Sequence, residues 1–164
     1  MNKCIEFYFD FISPYSYIAH KKIKSLESKK FNFIYKPILL GGLHNLEGIT
    51  APAFIKSKLK NMINDCNLVS KKNNIDFFWN SKFPINSLYL MRGCLVIKDD
   101  LKNLYINTMF DAYWRDNVDI SDSKNLINLI DKCKIDKKLF FEDIEKKKIK
   151  DNLKKITTEA FKKN

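Results

Sequence analysis

One junction near the N-terminus constrains the fold more than any other part of this sequence. Residues 4 to 11 read Cys-Ile-Glu-Phe-Tyr-Phe-Asp-Phe, an apolar run typical of a strand buried on both faces of a parallel sheet. Ser13 and Pro14 follow, and these residue types are favoured at the N-cap and the first position of a helix. Apolar residues then recur at helical spacing: Tyr15, Ile18, Ala19, Ile23 and Leu26. We therefore predict that a strand passes into a helix at Ser13.

A second strand is predicted from Phe31 to Lys36, where aromatic residues alternate with others and Pro37 ends the run. A right-handed crossover through the helix makes the two strands parallel, which gives a β-α-β unit. Ligands of open α/β sheets bind beyond the carboxyl ends of the strands, where Ser13 lies. The alternative for Ser13 is that it only caps the helix.

The rest of the chain has helical rather than strand periodicity. After a turn at Gly41-Gly42 and a loop from Gly48 to Pro52, helices are expected at about 54–73, 86–98, 102–114, 121–133, 137–145 and 148–161. We divide the chain into a β-α-β part at 1–50, an inserted all-helical domain at 51–146, and a returning helix at 147–164. Because two strands alone make a poor sheet, a part that completes the sheet is expected to be missing.

The net charge of +11 raises the question of nucleic-acid binding. Only Arg92 and Arg115 are arginines, and the lysines recur on the polar faces of predicted helices, as solvated surfaces require. We therefore expect no nucleic-acid partner. The positive field would still favour an acidic small substrate.

Membrane spans and metal sites are not predicted. No long uncharged apolar run and no secretion signal are present, which indicates a cytoplasmic protein without membrane association. No Cys-x-x-Cys pair or zinc-type spacing occurs, so buried free thiols are expected at Cys4, Cys66, Cys94 and Cys133. His20 and His44 are expected to be surface or loop residues, and a catalytic base is the alternative for His44, because its loop follows the second strand. Gly93 and the aromatic groups at 77–79 and 113–114 fit a core or a substrate pocket equally well.

The strand-to-helix junction also carries chemistry. Ser13 and Ser16 stand at the two positions that a Cys-x-x-Cys pair occupies in a thioredoxin-type fold. Hydroxyls cannot form a disulfide, but they can donate a hydrogen bond to a bound thiolate and so lower its pKa. The partial positive charge at a helix N-terminus also stabilises an anion beside it.

Eight short segments of the chain carry a family resemblance. In chain order they lie at 9–17, 36–42, 48–52, 83–87, 91–93, 112–114, 119–121 and 158–160, beginning with Phe-Asp-x-x-Ser-Pro-Tyr-Ser-Tyr. In these segments the chain resembles the 2-hydroxychromene-2-carboxylate isomerases and kappa-class glutathione transferases. That family has a DsbA-like thioredoxin fold with an inserted helical domain.

The resemblance implies glutathione as cofactor, a small aromatic acid as substrate and a homodimer. It implies that Ser13 hydrogen-bonds the sulfur of glutathione and that Lys58 contacts the glycyl end; an ordinary solvated lysine is the alternative for Lys58. The implied reaction is reversible thiol addition to an unsaturated aromatic acid followed by cis-trans isomerisation. A kappa-like transferase, a relative of the protein disulfide oxidoreductases and a non-catalytic remnant or binding module are the alternative functions.

Two departures from the family pattern bear on these expectations. The chain has Gly48-Ile49 where the family usually has Gly-Asn, whose asparagine helps to hold glutathione. After Thr158-Glu159-Ala160 the family continues into a cis-proline loop, two strands and a turn that grips the γ-glutamyl group. We therefore expect a truncated chain with weak or no catalysis.

Overall fold

The computed structural model describes residues 3–26 and 31–163. These residues form two strands, eight α-helices and one 3-10 turn at Pro52–Phe54. In chain order the strands and helices are β1 Lys3–Phe9, α1 Pro14–Leu26, β2 Phe31–Pro37, α2 Leu40–Glu47, α3 Lys56–Lys72, α4 Leu88–Val96, α5 Asp99–Trp114, α6 Ser123–Lys132, α7 Lys137–Ile144 and α8 Lys147–Phe161. The described ranges contain no helix that is long and apolar enough to cross a membrane.

The predicted β-α-β unit is confirmed. Strands β1 and β2 pair in parallel, in a register that runs from Lys3 opposite Phe31 to Phe9 opposite Pro37. Helix α1 connects the two strands, so the first helix begins at the carboxyl end of β1. The α/β fold class is therefore correct.

The expectation that strand one is buried on both faces is wrong. Residues 3 to 6 are exposed, whereas Phe9 at the carboxyl end is 1% exposed. The reason is that the described sheet has two strands and its amino ends lack cover. Burial is concentrated at the carboxyl end of β1, next to the start of α1.

Helix α5 forms the centre of the core. Its aromatic and apolar side chains are fully buried at Tyr105, Ile106, Met109, Phe110, Tyr113 and Trp114. The Trp114 indole N–H donates to the Phe11 carbonyl over 2.8 Å, which ties α5 to the segment after β1. Gly93 belongs to this core, because a Cβ there would lie 2.8 Å from the Phe140 ring.

The predicted turn at Gly41-Gly42 is wrong, since both glycines lie inside α2. Side chains distant in sequence stabilise the start of this helix: the Leu39 amide donates to Thr157 Oγ1 over 3.0 Å, and the Leu40 amide donates to Asp10 Oδ2 over 2.8 Å. Gly48 then ends α2 with a φ of 67°, the left-handed conformation that glycine adopts at low cost.

The expectation of a surface position for His20 is also wrong. His20 is 1% exposed, and its ring contacts the Tyr35 hydroxyl and Asn107 Oδ1, each over 2.7 Å. Burial lowers the pKa of His20 to about 4. The imidazole stacks on Phe110 with ring centroids 5.0 Å apart, so it belongs to the packing between α1 and α5.

The expectation for the cysteines is correct for three and wrong for one. Cys66, Cys94 and Cys133 are buried free thiols, while Cys4 is exposed near the uncovered end of β1. The helices from α3 to α8 are confirmed to within three residues at each end. The proposed domain boundaries at 50/51 and 146/147 stay predictions.

Candidate functional site

A cavity of about 710 Å³ lies beyond the carboxyl ends of β1 and β2. The start of α1, helix α2 and the segment before α4 form its walls. Most of the lining is apolar and includes Ile12, Leu39, Phe54, Met62, Phe83, Ile85 and Leu88. The polar side chains are Asp10, Ser13, Tyr15, His44, Asn86 and Ser87. An apolar cavity with a few polar groups is a typical small-molecule site.

Ser13 both caps α1 and lines the cavity. Its Oγ accepts the Ser16 N–H over 3.1 Å, which confirms the predicted N-cap. A serine hydroxyl has one donor and two acceptor positions, and Ser13 donates to no acceptor within the described residues. The cap therefore leaves the hydroxyl hydrogen available for a ligand. The contact between Ser13 and a glutathione sulfur stays a prediction.

The start of α1 offers a second donor beside Ser13. Pro14 has no N–H, and the Tyr15 N–H has no acceptor in the described part of the chain. Burial, together with a hydrogen bond to Asp65, raises the pKa of the Tyr15 hydroxyl to about 12. The phenol therefore stays protonated at neutral pH and is suited to donate a proton rather than to accept one.

Asp10 is a buried carboxylate that the sequence reasoning did not single out. Its Oδ1 accepts the Ile12 N–H over 3.1 Å and its Oδ2 accepts the Leu40 N–H over 2.8 Å, and Ser87 also hydrogen-bonds it. Burial raises the pKa of Asp10, and these hydrogen bonds oppose the rise. Asp10 thus fixes the loop before Ser13 to the start of α2. An acidic residue inside an apolar strand-to-helix junction was the available signal.

Lys58 is exposed on the first turn of α3 and is not among the residues that line the cavity. Met62, four residues later, does line it. Residues four apart share a helix face, so Lys58 lies on the same face of α3 as Met62. No acidic residue occupies this first helical turn. The role of Lys58 at the glycyl end of glutathione stays a prediction.

The placement of His44 in a loop is wrong: it is a half-buried residue of helix α2 that lines the cavity. Asn86 and Ser87 were recognised only as parts of a motif, and they form the wall that precedes α4. The Phe83-Pro84 peptide in the same wall is cis. His44 was placed in a loop because Gly41-Gly42 predicted a turn rather than the helix α2.

None of the four cysteines, all of which lie in the described ranges, lines the cavity. Burial raises the pKa of the Cys66 thiol to about 12 and raises that of Cys94 further. Ser13 and Ser16 occupy the positions of a Cys-x-x-Cys pair. The cavity therefore has a hydroxyl where a disulfide oxidoreductase needs a thiol.

The sequence model of the DSBA-like thioredoxin domain matches residues 4–164. The chain belongs to the DSBA-like thioredoxin family. It is 26% identical over 142 residues to glutathione S-transferase kappa 1 of Caenorhabditis elegans, a match that covers 77% of this chain and 60% of the relative. The chain thus spans about 60% of the length of the curated relative that it matches.

Two solved structures resemble the fold of this chain. A 2-hydroxychromene-2-carboxylate isomerase superposes with a TM-score of 0.85 and 20% identity, covering 97% of this chain and 79% of the isomerase. A Nitrosomonas europaea protein described as a protein disulfide isomerase has a TM-score of 0.75 and 10% identity, covering 99% and 79%. The DsbA-like thioredoxin fold and the family resemblance predicted from the sequence are thereby confirmed.

Proposed function

We propose that this protein is a glutathione-dependent isomerase of the 2-hydroxychromene-2-carboxylate isomerase type, acting on a small unsaturated aromatic acid. The observation that carries the proposal is the Ser13 hydroxyl, which lines an apolar cavity and keeps its hydrogen free at the start of α1. Together with the Tyr15 N–H, this hydroxyl suits a sulfur anion. The similarity to a kappa-class glutathione transferase supports the choice of glutathione.

The proposed roles of the residues follow from their positions. Bound glutathione would supply a thiolate that adds reversibly to a conjugated double bond and so permits rotation. Ser13 donates its O–H to the sulfur, and the N-terminus of α1 favours the charged form. The apolar walls hold the aromatic ring and exclude water. Lys58, on the face of α3 that includes Met62, attracts the glycyl carboxylate.

A transferase is the second candidate, favoured by the similarity to the Caenorhabditis elegans relative. The two reactions share thiol activation and differ in the product, because a transferase releases the conjugate whereas an isomerase eliminates the thiol. Disulfide exchange has less support because no thiol lines the cavity. The homodimer implied by the resemblance stays a prediction.

The direct test is turnover of 2-hydroxychromene-2-carboxylate by the purified chain, with glutathione affinity measured by calorimetry. Replacing Ser13→Ala is expected to reduce glutathione-dependent turnover about tenfold or more, because one preorganised donor is lost. The lost cap costs about 0.5–2 kcal/mol of stability. Ser25→Ala is the matched control, since Ser25 is an exposed serine of α1 that bonds the Lys22 carbonyl.

The products and the variants separate the candidate functions. Accumulation of a stable glutathione conjugate would assign a transferase, and glutathione binding without either product would assign a non-catalytic binding module. Turnover that is equal in Ser13→Ala and the unmodified chain would reduce Ser13 to a helix cap and overturn the proposed mechanism.

A further inference from the structure

His44 has a position that the proposed function does not use. It lies on α2, is half-buried, and is the one basic side chain lining the cavity among the residues that the structure describes. Its imidazole has no hydrogen-bond partner within residues 3–26 and 31–163. Its neighbour Gly41 leaves open space, because a Cβ there would meet no atom within 4 Å. The imidazole therefore has both access and free bonding capacity.

Most other polar groups in this cavity are already engaged. Asp10 accepts two backbone N–H groups and bonds with Ser87. The Asn86 amide oxygen accepts the Leu88 N–H over 3.0 Å, which leaves the amide N–H groups of Asn86 as neutral donors, and the Tyr15 hydroxyl bonds with Asp65. Ser13 lies at the start of α1, on a different element from His44. A ligand with an anionic group thus meets His44 as the available basic partner in the cavity.

We propose that His44 binds the carboxylate of an aromatic acid that enters the cavity. The inference rests on the proposed function for the reacting centre at Ser13 and adds the group that selects an acidic substrate. An imidazole donates an N–H in both its neutral and its charged form, and a hydrogen bond to a carboxylate is stronger than one between neutral groups. The apolar lining accommodates the ring while His44 fixes the acid end.

The charges near His44 are compatible with this role. Asp10 and Tyr15 are the other titratable groups that line the cavity, and both are held by the hydrogen bonds described above. Glu47 lies one turn later on α2 and is exposed, outside the cavity lining. A carboxylate that binds at His44 therefore replaces no existing ion pair of this side chain among the described residues.

The two histidines of the chain make a selective experiment possible. The NMR signals of the ring C–H groups are followed while salicylate, or its neutral analogue salicylamide, is added without glutathione. Salicylate is expected to shift the His44 signals and to leave those of buried His20 unchanged, whereas salicylamide shifts His44 much less. Equal shifts with both compounds, or no shift of His44, would overturn the inference.

Variants of His44 add a quantitative test. His44→Gln is expected to weaken the binding of salicylate about tenfold and the binding of salicylamide less than about twofold, because only the carboxylate loses a charge-assisted hydrogen bond. His44→Lys should restore the preference for salicylate, and Glu47→Gln is the control on the same helix. Equal weakening of both compounds in His44→Gln would contradict the assignment.

The closing comparison separates this inference from the proposed function. If the chain binds salicylate through His44 but does not bind glutathione, the proposed reaction is contradicted and the carboxylate site is supported. If His44→Gln keeps glutathione-dependent turnover and the same preference for the acid over the amide, the reaction is supported and the carboxylate site is contradicted.

Discussion

Helices α2 and α4 have eight and nine residues, and both consist mainly of apolar residues, yet they belong to different parts of the molecule. Helix α4 buries Leu90, Met91, Gly93 and Cys94 in the core. No residue of α2 is fully buried, and four of its residues line the cavity. Apolar composition therefore does not distinguish a core helix from the wall of a binding site.

The two helices are also held in different ways. Side chains of α5 and α7 pack closely against α4, as the contact of Gly93 with Tyr105 and Phe140 shows. Helix α2 is attached at its start by hydrogen bonds from Leu39 to Thr157 and from Leu40 to Asp10, and it also packs against α8, since a Cβ at Gly42 would lie 3.3 Å from Thr157 Cγ2. Close packing thus holds the core helix α4, whereas packing against α8 and directed hydrogen bonds at its start together position the cavity helix α2.

The largest expected effect is the loss of stability at low pH that buried His20 causes in the core. The pKa of His20 is lowered to about 4 by burial, so below about pH 6.5 the unfolded chain binds a proton that the folded chain excludes. The full contribution of His20 to the free energy of unfolding should be present above pH 6.5 and should be lost as the pH falls toward 4. Between pH 7.5 and 4.5 the free energy of unfolding is expected to fall by about 2–3 kcal/mol through this residue.

Urea unfolding of the unmodified chain and His20→Gln at several pH values measures this contribution. Lys21, Lys24 and Asp111 also influence His20, so the difference between the two chains is the relevant quantity. The variant should lose the part of the pH dependence that lies between pH 6.5 and 4. An identical pH dependence in both chains would show that the pKa of His20 is the same in the folded and unfolded states, which contradicts the lowered value.

A pair of glycine substitutions compares the two helices directly. Gly93→Ala places a Cβ within 2.9 Å of two Phe140 ring atoms and should cost about 1–3 kcal/mol through overpacking. Gly41→Ala meets no atom within 4 Å and should stabilise the chain by up to about 1 kcal/mol, because alanine favours a helix. Urea unfolding gives both values. Equal effects of the two substitutions would contradict the contrast between α2 and α4.

The sequence predicted the elements that depend on local patterns. Helices α3 to α8 followed from apolar periodicity, and the cap at Ser13 followed from neighbouring residues. Helix α2 was missed because Gly41-Gly42 favours a turn, while the partners of its first amides lie 30 and 118 residues away. These separations also explain why His44 was placed in a loop rather than on a helix of the cavity wall.

The burial of His20 shows the same limit on sequence reasoning. Its ring is bonded to Asn107, which is 87 residues away, and no local pattern indicates that pairing. For Lys58, the resemblance indicated the residue, but its distance from the cavity depends on how α3 packs, with Met62 lining the cavity. Contacts between residues far apart in sequence therefore determine most of the site features that the sequence did not predict.

The smallest expected effect tests how much the hydrogen bonds at its start contribute to the position of α2. Thr157 Oγ1 accepts the Leu39 N–H and donates to the Leu153 carbonyl over 2.9 Å, so it links α8 to the start of α2. Thr157→Val keeps the shape and removes both bonds, which should cost about 0.5–1.5 kcal/mol. Thr158→Val is the matched control, because Thr158 bonds only the Lys154 carbonyl on its own helix, and that contact is exposed.

Urea unfolding measures the cost, and hydrogen exchange of the Leu39 and Leu40 amides measures where it acts. In Thr157→Val, the Leu39 amide should lose protection while the amides of α4 keep theirs, because packing rather than this bond holds the core. Leu40 keeps its bond to Asp10 and should lose less protection than Leu39. If α2 and α4 lost protection together, the two helices would form one cooperative unit, and the distinction between a packed core and a hydrogen-bonded cavity wall would not hold.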